Sequence, residues 1–497
     1  MTSYVLAVDQ GTTGTTVLVF DREGAVCGHA YSEFGQSYPQ PGWVEHDAEE
    51  IWAVTLRVMR KALDQGRISP EKIRSIGITN QRETVVVWDR LTSRPIAPAI
   101  VWQDRRTADF CAQLKGEGLE ADWQQRTGLR IDPYFSATKL HWLLQQSESL
   151  SDRARQGELA FGTIDSWLLW KLSGGRYHAT DVTNASRTLL YDIHQGCWSD
   201  AILRRLDIPE AILPQVKPSA GFITETAPDL FDGVSIPVCG VAGDQQAALF
   251  GQICHQPGMA KNTYGTGSFL LLNTGTTPVI CDHLLTTIAW QLEGGPVTYA
   301  LEGSIFVTGA AVQWLRDGLG LLDDAADSAA LAESVAGNDD VYFVPALTGL
   351  GAPYWDPYAR GVMVGLTRGT TRAHLVRAVL ESMVYQVTDV ARVMSCESGV
   401  ALTELRADGG AVSNAFLMQF QADILGVPVI VPPISETTAF GAAALAGLAE
   451  GVWTTSGDLQ RCQKGRQCYE AVMPRRQADQ LMTRWSEAVA LSRGWAR

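Results

Sequence analysis

Turns rich in glycine and threonine follow apolar segments at three places in this chain, and they constrain its fold more than any other feature. The first turn, Asp9–Gly14, lies between the apolar segments Tyr4–Val8 and Thr15–Phe20. Two strands joined by a tight glycine turn form a β-hairpin. The second turn, Lys261–Ser268, and the third, Asp408–Ala411, lie in the other half of the chain. Two similar hairpins about one domain length apart predict an internal duplication.

The length of the chain and the order of its elements predict the domain organisation. A chain of 497 residues is too long for one compact core, so two or three domains are expected. Asp47 is placed to cap a helix in which Glu50 completes a capping box, and Ile73–Ile78 then predicts a strand. Alternating strands and helices favour an α/β fold. The segment Gly251–Gly258 is the best boundary, giving domains at residues 1–251 and 252–497.

The second half of the chain contains two clear helical patterns. From Leu375, apolar residues recur with helical spacing as far as Val390. The segment Thr438–Leu448 is rich in glycine and alanine, which are small enough for helices to pack closely. The tail after Trp453 is polar and predicts no element.

Charge and cysteine content exclude several classes of function. A formal charge of −14 repels phosphate backbones and anionic lipid, so neither nucleic acid nor a membrane surface is an expected partner. No apolar stretch reaches the roughly 18 residues needed to cross a bilayer, and no signal peptide precedes Asp9. The nine cysteines form no CxxC pair. We expect them to be reduced, which favours the cytoplasm.

The three glycine turns predict a phosphate-binding site. The chain contains neither the P-loop spacing GxxxxGK[ST] nor the glycine-rich loop of protein kinases. It contains the turns Gly11–Gly14, Gly265–Gly267 and Gly409–Gly410, whose backbone N–H groups can approach phosphates unobstructed. Singly, each is an ordinary turn. Together they are better explained by a nucleotide cleft between two domains.

Charged residues follow several of the predicted strands, and each has two interpretations. Asp9 either helps to hold Mg²⁺ or caps its turn. Asp244 is either a general base for a hydroxyl group or a helix N-cap. Arg82 and Glu83 are either substrate ligands or an adjacent surface ion pair of little energetic value. Spacing alone does not choose between these alternatives.

Long sequence runs then point to one family. The runs are Asp9–Thr13, Pro41–Asp47, Gly77–Thr84, Thr183–Arg187, Gly243–Gln252, Ala260–Gly267 and Gly349–Pro357. They occur in the family's order, the similarity covers roughly residues 4 to 448, and on this basis the chain resembles the FGGY family of carbohydrate kinases. Two of the runs, Asn80–Thr84 and Gly243–Gln246, resemble the glycerol kinases within that family.

The resemblance implies a fold, a reaction and a set of ligands. The fold is two RNase H-like (actin-like ATPase) domains, with a nucleotide and substrate cleft between them. The activity is phosphorylation of glycerol by ATP to sn-glycerol 3-phosphate in glycerol uptake and degradation, with Mg²⁺ as cofactor. A homodimer and a homotetramer both remain open. Two alternatives are a kinase for another polyol or a ketose, and an actin- or Hsp70-like ATPase that moves partners.

The resemblance also implies roles for individual residues. Asp244 is the general base, and Asp9 and Asp244 hold magnesium largely through water. At positions 14 and 16 the chain departs from the family, which usually places a hydroxyl and then often an arginine near the phosphates. Glycerol contacts are assigned to Arg82, Glu83, Tyr134, Asp244 and Gln245, with walls from Trp102 and Phe269. Nucleotide contacts are assigned to Thr12, Thr13, Gly14, Thr266, Gly309, Gln313, Gly410 and Asn414.

Overall fold

The protein is built on two separate β-sheets surrounded by helices. The structure is a computed structural model and describes residues 3–496. Its mixed α/β class confirms the prediction from the alternating elements. In spatial order, the strands of the first sheet are Ala220–Glu225, Pro237–Gly243, Ile73–Asn80, Tyr4–Gln10, Gly14–Phe20 and Val26–Glu33. Those of the second sheet are Leu285–Gln291, Val297–Ile305, Ser268–Gly275, Met259–Tyr264, Glu404–Gly409, Val429–Val431 and Gln467–Tyr469.

The two sheets repeat one pattern of strand directions. In the first sheet, Tyr4–Gln10 forms an antiparallel hairpin with Gly14–Phe20 and runs parallel to Ile73–Asn80 on its other side. In the second sheet, Met259–Tyr264 forms an antiparallel hairpin with Ser268–Gly275 and runs parallel to Glu404–Gly409. Both predicted hairpins are therefore confirmed, and the shared pattern is the one that an internal duplication produces.

Helices and five small two-stranded sheets complete the fold. The helices are Ala48–Gly66, Ala108–Gly116, Glu120–Thr127, Ser136–Leu144, Glu148–Arg155, Ile164–Leu172, Val182–Ser186, Asp200–Arg205, Asp244–Gly251, Gly309–Gln313, Asp327–Glu333, Arg372–Ser398, Ala415–Leu425, Thr437–Ala449, Ser456–Cys462 and Arg475–Ser492. The small sheets pair Glu45–His46 with Ala99–Ile100, Val86–Asp89 with Leu159–Gly162, Ala179–Asp181 with Gln215–Lys217, Tyr191–Asp192 with Cys197–Trp198, and Tyr342–Val344 with Val362–Val364.

The main elements form five layers, and the middle layer is shared. Helices Ala48–Gly66 and Ile164–Leu172 cover the outer face of the first sheet. Helix Arg372–Ser398, together with two further helices near the C-terminus, covers the outer face of the second. Between the sheets lie helices Asp244–Gly251 and Thr437–Ala449, whose core contains side chains from both sheets. The halves of the chain are therefore joined by one apolar layer.

Local predictions for the first long helix were half right. Asp47 caps the helix, because its carboxylate accepts hydrogen bonds from the backbone N–H groups of Glu49 and Glu50. The predicted capping box is wrong. The Glu50 carboxylate accepts from the backbone N–H of Gly35 at 3.1 Å, because the segment just after strand Val26–Glu33 offers a donor at that end of the helix.

The polar tail is structured, which the sequence pattern did not reveal. It forms two helices and the edge strand Gln467–Tyr469, which extends the second sheet. Trp485 on the last helix is fully buried, and its indole N–H donates to Asp389 at 2.6 Å. Only one face of this helix is buried, so a few residues such as Trp485 anchor it. Its other faces remain in solvent, which is why the sequence there is mostly polar.

The cysteines and the apolar segments can be compared with the predictions made for them. All nine cysteines are free thiols, as expected. Within residues 3–496, each helix is either too short or too polar to cross a membrane.

The shared helix layer depends on glycines that allow backbone-to-backbone contact. A Cβ atom added to Gly441 would lie 1.8 Å from the Ala247 carbonyl oxygen, and one added to Gly77 would lie 2.1 Å from the Ala442 carbonyl oxygen. Neither contact can be relieved by a side-chain rotation, because the atoms that clash belong to the backbone. The predicted close packing of this helix is confirmed.

We expect Gly441→Ala to lower the melting temperature clearly, because overpacking a dense interface costs about 1–3 kcal/mol. Gly116→Ala is the matched control, since Gly116 is also helical but has no atom within 4 Å of an added Cβ. It should leave the melting temperature unchanged or raise it slightly. Differential scanning fluorimetry measures both, and equal melting temperatures would contradict this account of the interface.

Candidate active site

Three parallel strands of the first sheet end side by side, and the predicted substrate residues follow them. The register pairs Gln10 with Asn80 and Asn80 with Gly243, so the carboxyl ends lie at one edge. Arg82 follows the second strand, and Asp244 follows the third directly. This edge of an α/β sheet is where ligands bind in open-sheet proteins. Residues from three distant parts of the sequence therefore meet.

Arg82 is the centre of the predicted substrate residues. It is buried, and its Nε lies 3.1 Å from Asp244 Oδ1 while its Nη2 donates to the Tyr134 hydroxyl at 3.0 Å. Its backbone φ is +48°, a strained conformation for a residue with a side chain. Gly243 provides the space for it, because a Cβ there would lie 2.7 Å from Arg82 Cγ. The surroundings thus fix both the backbone and the guanidinium.

Two buried residues complete this cluster, and sequence analysis missed both. Arg187 Nε donates to Glu83 Oε1 at 2.7 Å. Glu302 accepts from Arg82 Nη1 at 2.6 Å and from Arg187 Nη2 at 3.0 Å. Arg187 belonged to a run that matched the family but suggested no role. Glu302 lies inside a strand without any local motif, so only the fold reveals its position.

Lys261 is a third missed residue, and it determines how Gln245 is oriented. Its side chain is buried, and its ammonium donates to Gln245 Oε1 and to Thr263 Oγ1. Because an ammonium group only donates, Gln245 must offer its amide oxygen to Lys261, and its NH₂ group remains for a ligand. Burial lowers the pKa of Lys261, although nearby carboxylates oppose that effect.

The predicted aromatic walls lie beside the polar cluster. The rings of Trp102 and Tyr134 meet edge to face with centroids 5.5 Å apart. Burial raises the pKa of Tyr134 well above its usual range, so its hydroxyl stays protonated. Trp102 Nε1 donates to Thr12 Oγ1 at 2.9 Å, which connects this wall to the first glycine turn. Phe269 is half-buried at the start of its strand.

A short helix holds two of the strand ends in place. Asn80 donates to the Asn184 side chain at 3.0 Å, and the Gly243 backbone N–H donates to Thr183 Oγ1 at 2.9 Å. Asp181 caps this helix and accepts from the backbone N–H of Asn184 at 2.9 Å. Thr183–Arg187, a run without an assigned role in the sequence, therefore supports the strand ends that carry Arg82 and Asp244.

Asp9 lies among other carboxylates. Burial and the negative charges of Asp244 and Glu436 raise the pKa of Asp9 to about 7. Within residues 3–496, no salt bridge joins Asp9 or Glu436 to a cation, and no group of three or more acidic, His or Cys side chains is arranged as a metal site. The excess negative charge fits a divalent cation that is bound by few protein ligands and completes its shell with water or phosphate oxygens.

The first glycine turn contains three of the predicted nucleotide residues. The turn is closed by the Gly11 N–H, which donates to the Gly14 carbonyl at 2.9 Å. Thr13 is exposed, and Thr12 is partly exposed beside Trp102. Gly14 is buried, and a Cβ there would lie 2.7 Å from the Tyr31 ring, so neighbouring packing already requires this glycine.

The glycine turns of the second sheet lie next to one another. Tyr264 and Gly409 are register partners on parallel strands, so the turns that follow them are adjacent. Gly309 joins them, because its N–H donates to the Gly265 carbonyl at 3.0 Å and the next N–H donates to Thr266 at 3.0 Å. Three segments, of which Gly309 lies 44 residues after Gly265 and 100 before Gly409, thus meet around Thr266 and Gly309.

The remaining nucleotide candidates lie close to these turns. Gln313 is exposed at the end of the helix that begins at Gly309. Gly410 is exposed directly after strand Glu404–Gly409 of the second sheet. Asn414 caps the following helix, since its Oδ1 accepts from the Leu417 N–H at 3.0 Å. Its amide oxygen is therefore engaged within the protein.

Comparisons with known proteins agree with this architecture. The profile of the N-terminal domain of the FGGY family of carbohydrate kinases matches residues 4–251, and that of the C-terminal domain matches residues 260–450. A glycerol kinase 2 from Thermotoga maritima is 55% identical over 99% of both chains. A glycerol kinase from Trichlorobacter lovleyi is 55% identical over 100% of both chains.

The same family appears among solved structures. The crystal structure of Plasmodium falciparum glycerol kinase with ADP superposes with a TM-score of 0.94 and 34% identity, covering 99% of this chain and 98% of that one. These matches span the whole described fold, including both sheets and the helices between them. The chain belongs to the FGGY family of carbohydrate kinases.

Proposed function

We propose that this protein is an enzyme that transfers the terminal phosphoryl group of ATP to glycerol and forms sn-glycerol 3-phosphate. The observation that carries the proposal is Arg82 held between Asp244 and Tyr134, with Glu83 beside it. Relatives named glycerol kinases, 55% identical over essentially the full length, support it.

The donors and acceptors of the cluster complement a small triol. Each hydroxyl of glycerol both donates and accepts, so it needs neighbours of both kinds. The Glu83 and Asp244 carboxylates accept, while Arg82, Tyr134 and the Gln245 NH₂ group donate. Such hydrogen bonds to charged groups are the stronger kind. Trp102 and Phe269, which form the predicted walls, would contact the carbon chain.

In the proposed mechanism Asp244 acts as the general base. As the glycerol hydroxyl oxygen bonds to the γ-phosphorus of ATP, the bond from that phosphorus to the bridging oxygen breaks and ADP leaves. The hydroxyl proton passes to the Asp244 carboxylate, a role that a carboxylate beside the acceptor fills in kinases. Asp244 suits this role because it is one-third exposed, unlike its buried neighbours Glu83 and Glu302.

Magnesium and the nucleotide would occupy the cleft between the two domains, beside the glycine turns that follow the strands of the two sheets. Asp9 and Asp244 would hold Mg²⁺ largely through water, and the ion would neutralise negative charge on the phosphates. The backbone N–H groups of the three glycine turns would approach the phosphates. The nucleotide residues remain those predicted, namely Thr12, Thr13, Gly14, Thr266, Gly309, Gln313, Gly410 and Asn414.

Several wider features are part of the same proposal. We keep the domain division at residues 1–251 and 252–497. We place the enzyme in the cytoplasm, where ATP is available and the anionic product cannot leave by diffusion through a membrane. Its role there is glycerol uptake and degradation. Assembly as a homodimer or homotetramer stays open.

A coupled ADP-release assay tests the reaction and its substrate. We expect the highest kcat/KM with glycerol among glycerol, erythritol, xylulose and dihydroxyacetone. 1,2-Propanediol lacks one hydroxyl and should be poorer by roughly tenfold or more, because a charged partner would be left unpaired. A clear preference for xylulose would instead support a ketose kinase, and ADP release that no polyol stimulates would support an ATPase.

We expect Asp244→Asn to reduce kcat by about 10²–10⁴, the usual contribution of general-base catalysis. The asparagine oxygen can still accept from Arg82, so the melting temperature should change little. Asp200→Asn is the matched control, because Asp200 is also the first residue of a helix but is exposed and remote from the cluster. Turnover of the Asp244 variant within about threefold of wild type would remove this residue from the mechanism.

We expect Gly410→Ala to raise the KM for ATP by roughly tenfold, because the added methyl would enter space that the nucleotide occupies. No protein atom lies within 4 Å of that methyl, so the melting temperature and the KM for glycerol should stay unchanged. Gly337→Ala, at an equally open position, serves as the control. An unaltered KM for ATP would place the nucleotide elsewhere.

A further inference from the structure

Glu302 and Arg187 lie behind the proposed glycerol ligands and have no role in the mechanism above. Both side chains are completely buried. Glu302 belongs to strand Val297–Ile305 of the second sheet, whereas Arg187 follows the short helix beside the first sheet. They meet at the boundary between the two halves of the chain.

Glu302 holds two guanidinium groups at once. Its Oε2 accepts from Arg82 Nη1 at 2.6 Å, and its Oε1 accepts from Arg187 Nη2 at 3.0 Å and from Arg82 Nη2 at 3.3 Å. Burial opposes ionisation, but the attraction of both arginines prevails and brings the pKa of Glu302 to about 2. The carboxylate is therefore charged at any pH at which the enzyme would work, and Arg82 is fixed by its two terminal nitrogens.

Arg187 fixes the carboxylate of Glu83, just as Glu302 fixes the guanidinium of Arg82. Its Nε donates to Glu83 Oε1 at 2.7 Å, and its guanidinium lies 5.7 Å from the Tyr134 ring and 5.4 Å from the Phe135 ring. No residue in 3–496 forms a hydrogen bond with the other oxygen of Glu83. That oxygen is free for a substrate hydroxyl, and Arg187 determines where it points.

We propose that Glu302 and Arg187 are positioning residues for glycerol binding. They fix the acceptor Glu83 and the donor Arg82 in one rigid arrangement, and through Glu302 the second sheet takes part in a site otherwise built mainly by the first half. The inference rests on the proposed function. Charge-assisted pairs of this kind orient a ligand more strictly than neutral hydrogen bonds do.

The alternative role for such a cluster is stability alone, and the two roles make different predictions. Breaking a buried pair by removing one partner destabilises the fold, whereas replacing both charges with apolar residues of similar size is often neutral or stabilising. A stabilising role would thus be lost in the single variant and largely restored in the double variant. A positioning role would be lost in both.

The test measures the KM for glycerol, the KM for ATP, kcat and the melting temperature of Glu302→Gln and of the double variant Arg187→Met/Glu302→Leu. We expect both to raise the KM for glycerol by roughly tenfold or more, while the KM for ATP stays within about twofold. The double variant provides a folded protein should the single variant be unstable. Glu381→Gln is the control, because Glu381 is equally buried and paired with Arg377 at 2.7 Å but bonds to none of the proposed glycerol ligands. It should change only the melting temperature.

The possible outcomes distinguish a positioning role for Glu302 and Arg187 from a purely stabilising one. A folded double variant with the wild-type KM for glycerol would overturn the positioning role, as would equal increases in both KM values. Wild-type enzyme that shows no glycerol-dependent ADP release would overturn the proposed function, and this inference with it. Wild-type enzyme that is active, while the variants keep its KM for glycerol, would overturn the positioning role alone.

Discussion

The close packing of helices Asp244–Gly251 and Thr437–Ala449 is the constraint on which the rest of the structure depends. At Gly441 and Ala247 the two backbones touch, so no side chain separates them. Both helices begin at the cleft, one with Asp244 and the other directly after Glu436. The distance between the first and second sheets, and hence between the substrate and nucleotide candidates, is set by this contact. A layer of alanine and glycine thus determines the geometry of a charged site.

The cluster beside this layer is stable because its buried charges balance. Arg82 and Arg187 oppose Glu83 and Glu302 inside the protein, so neither sign is left uncompensated. Isolated buried charges would shift their pKa values or disrupt the fold. Asp9 differs, since burial and the negative charges of its acidic neighbours both raise its pKa. The structure therefore separates an ionic cluster whose charges balance from the acidic surroundings of Asp9.

Local patterns predicted much of the fold and part of the site. Both hairpins, the helix after Asp47 and the close packing around Gly441 follow from short-range rules of turn, cap and residue size. The positions of Arg82 and Asp244 follow from strand ends that converge. Glu302 could not be found in this way, because its partner Arg82 is 220 residues away and only the pairing of two sheets brings them together. The capping box failed for a similar reason, as Gly35 on a neighbouring segment competes for Glu50.

The hydrogen bond from Trp102 to Thr12 has a consequence for how this fold can diversify. The tryptophan lines the space assigned to the polyol, and its partner belongs to the turn assigned to the phosphates. A larger substrate would require this indole to move or to be replaced, and either change would free the threonine hydroxyl. Under the proposed assignments, substrate range and nucleotide handling are therefore linked through this hydrogen bond. A change at Trp102 that admits a bulkier substrate would then also alter the surroundings of the Thr12 hydroxyl in the phosphate turn.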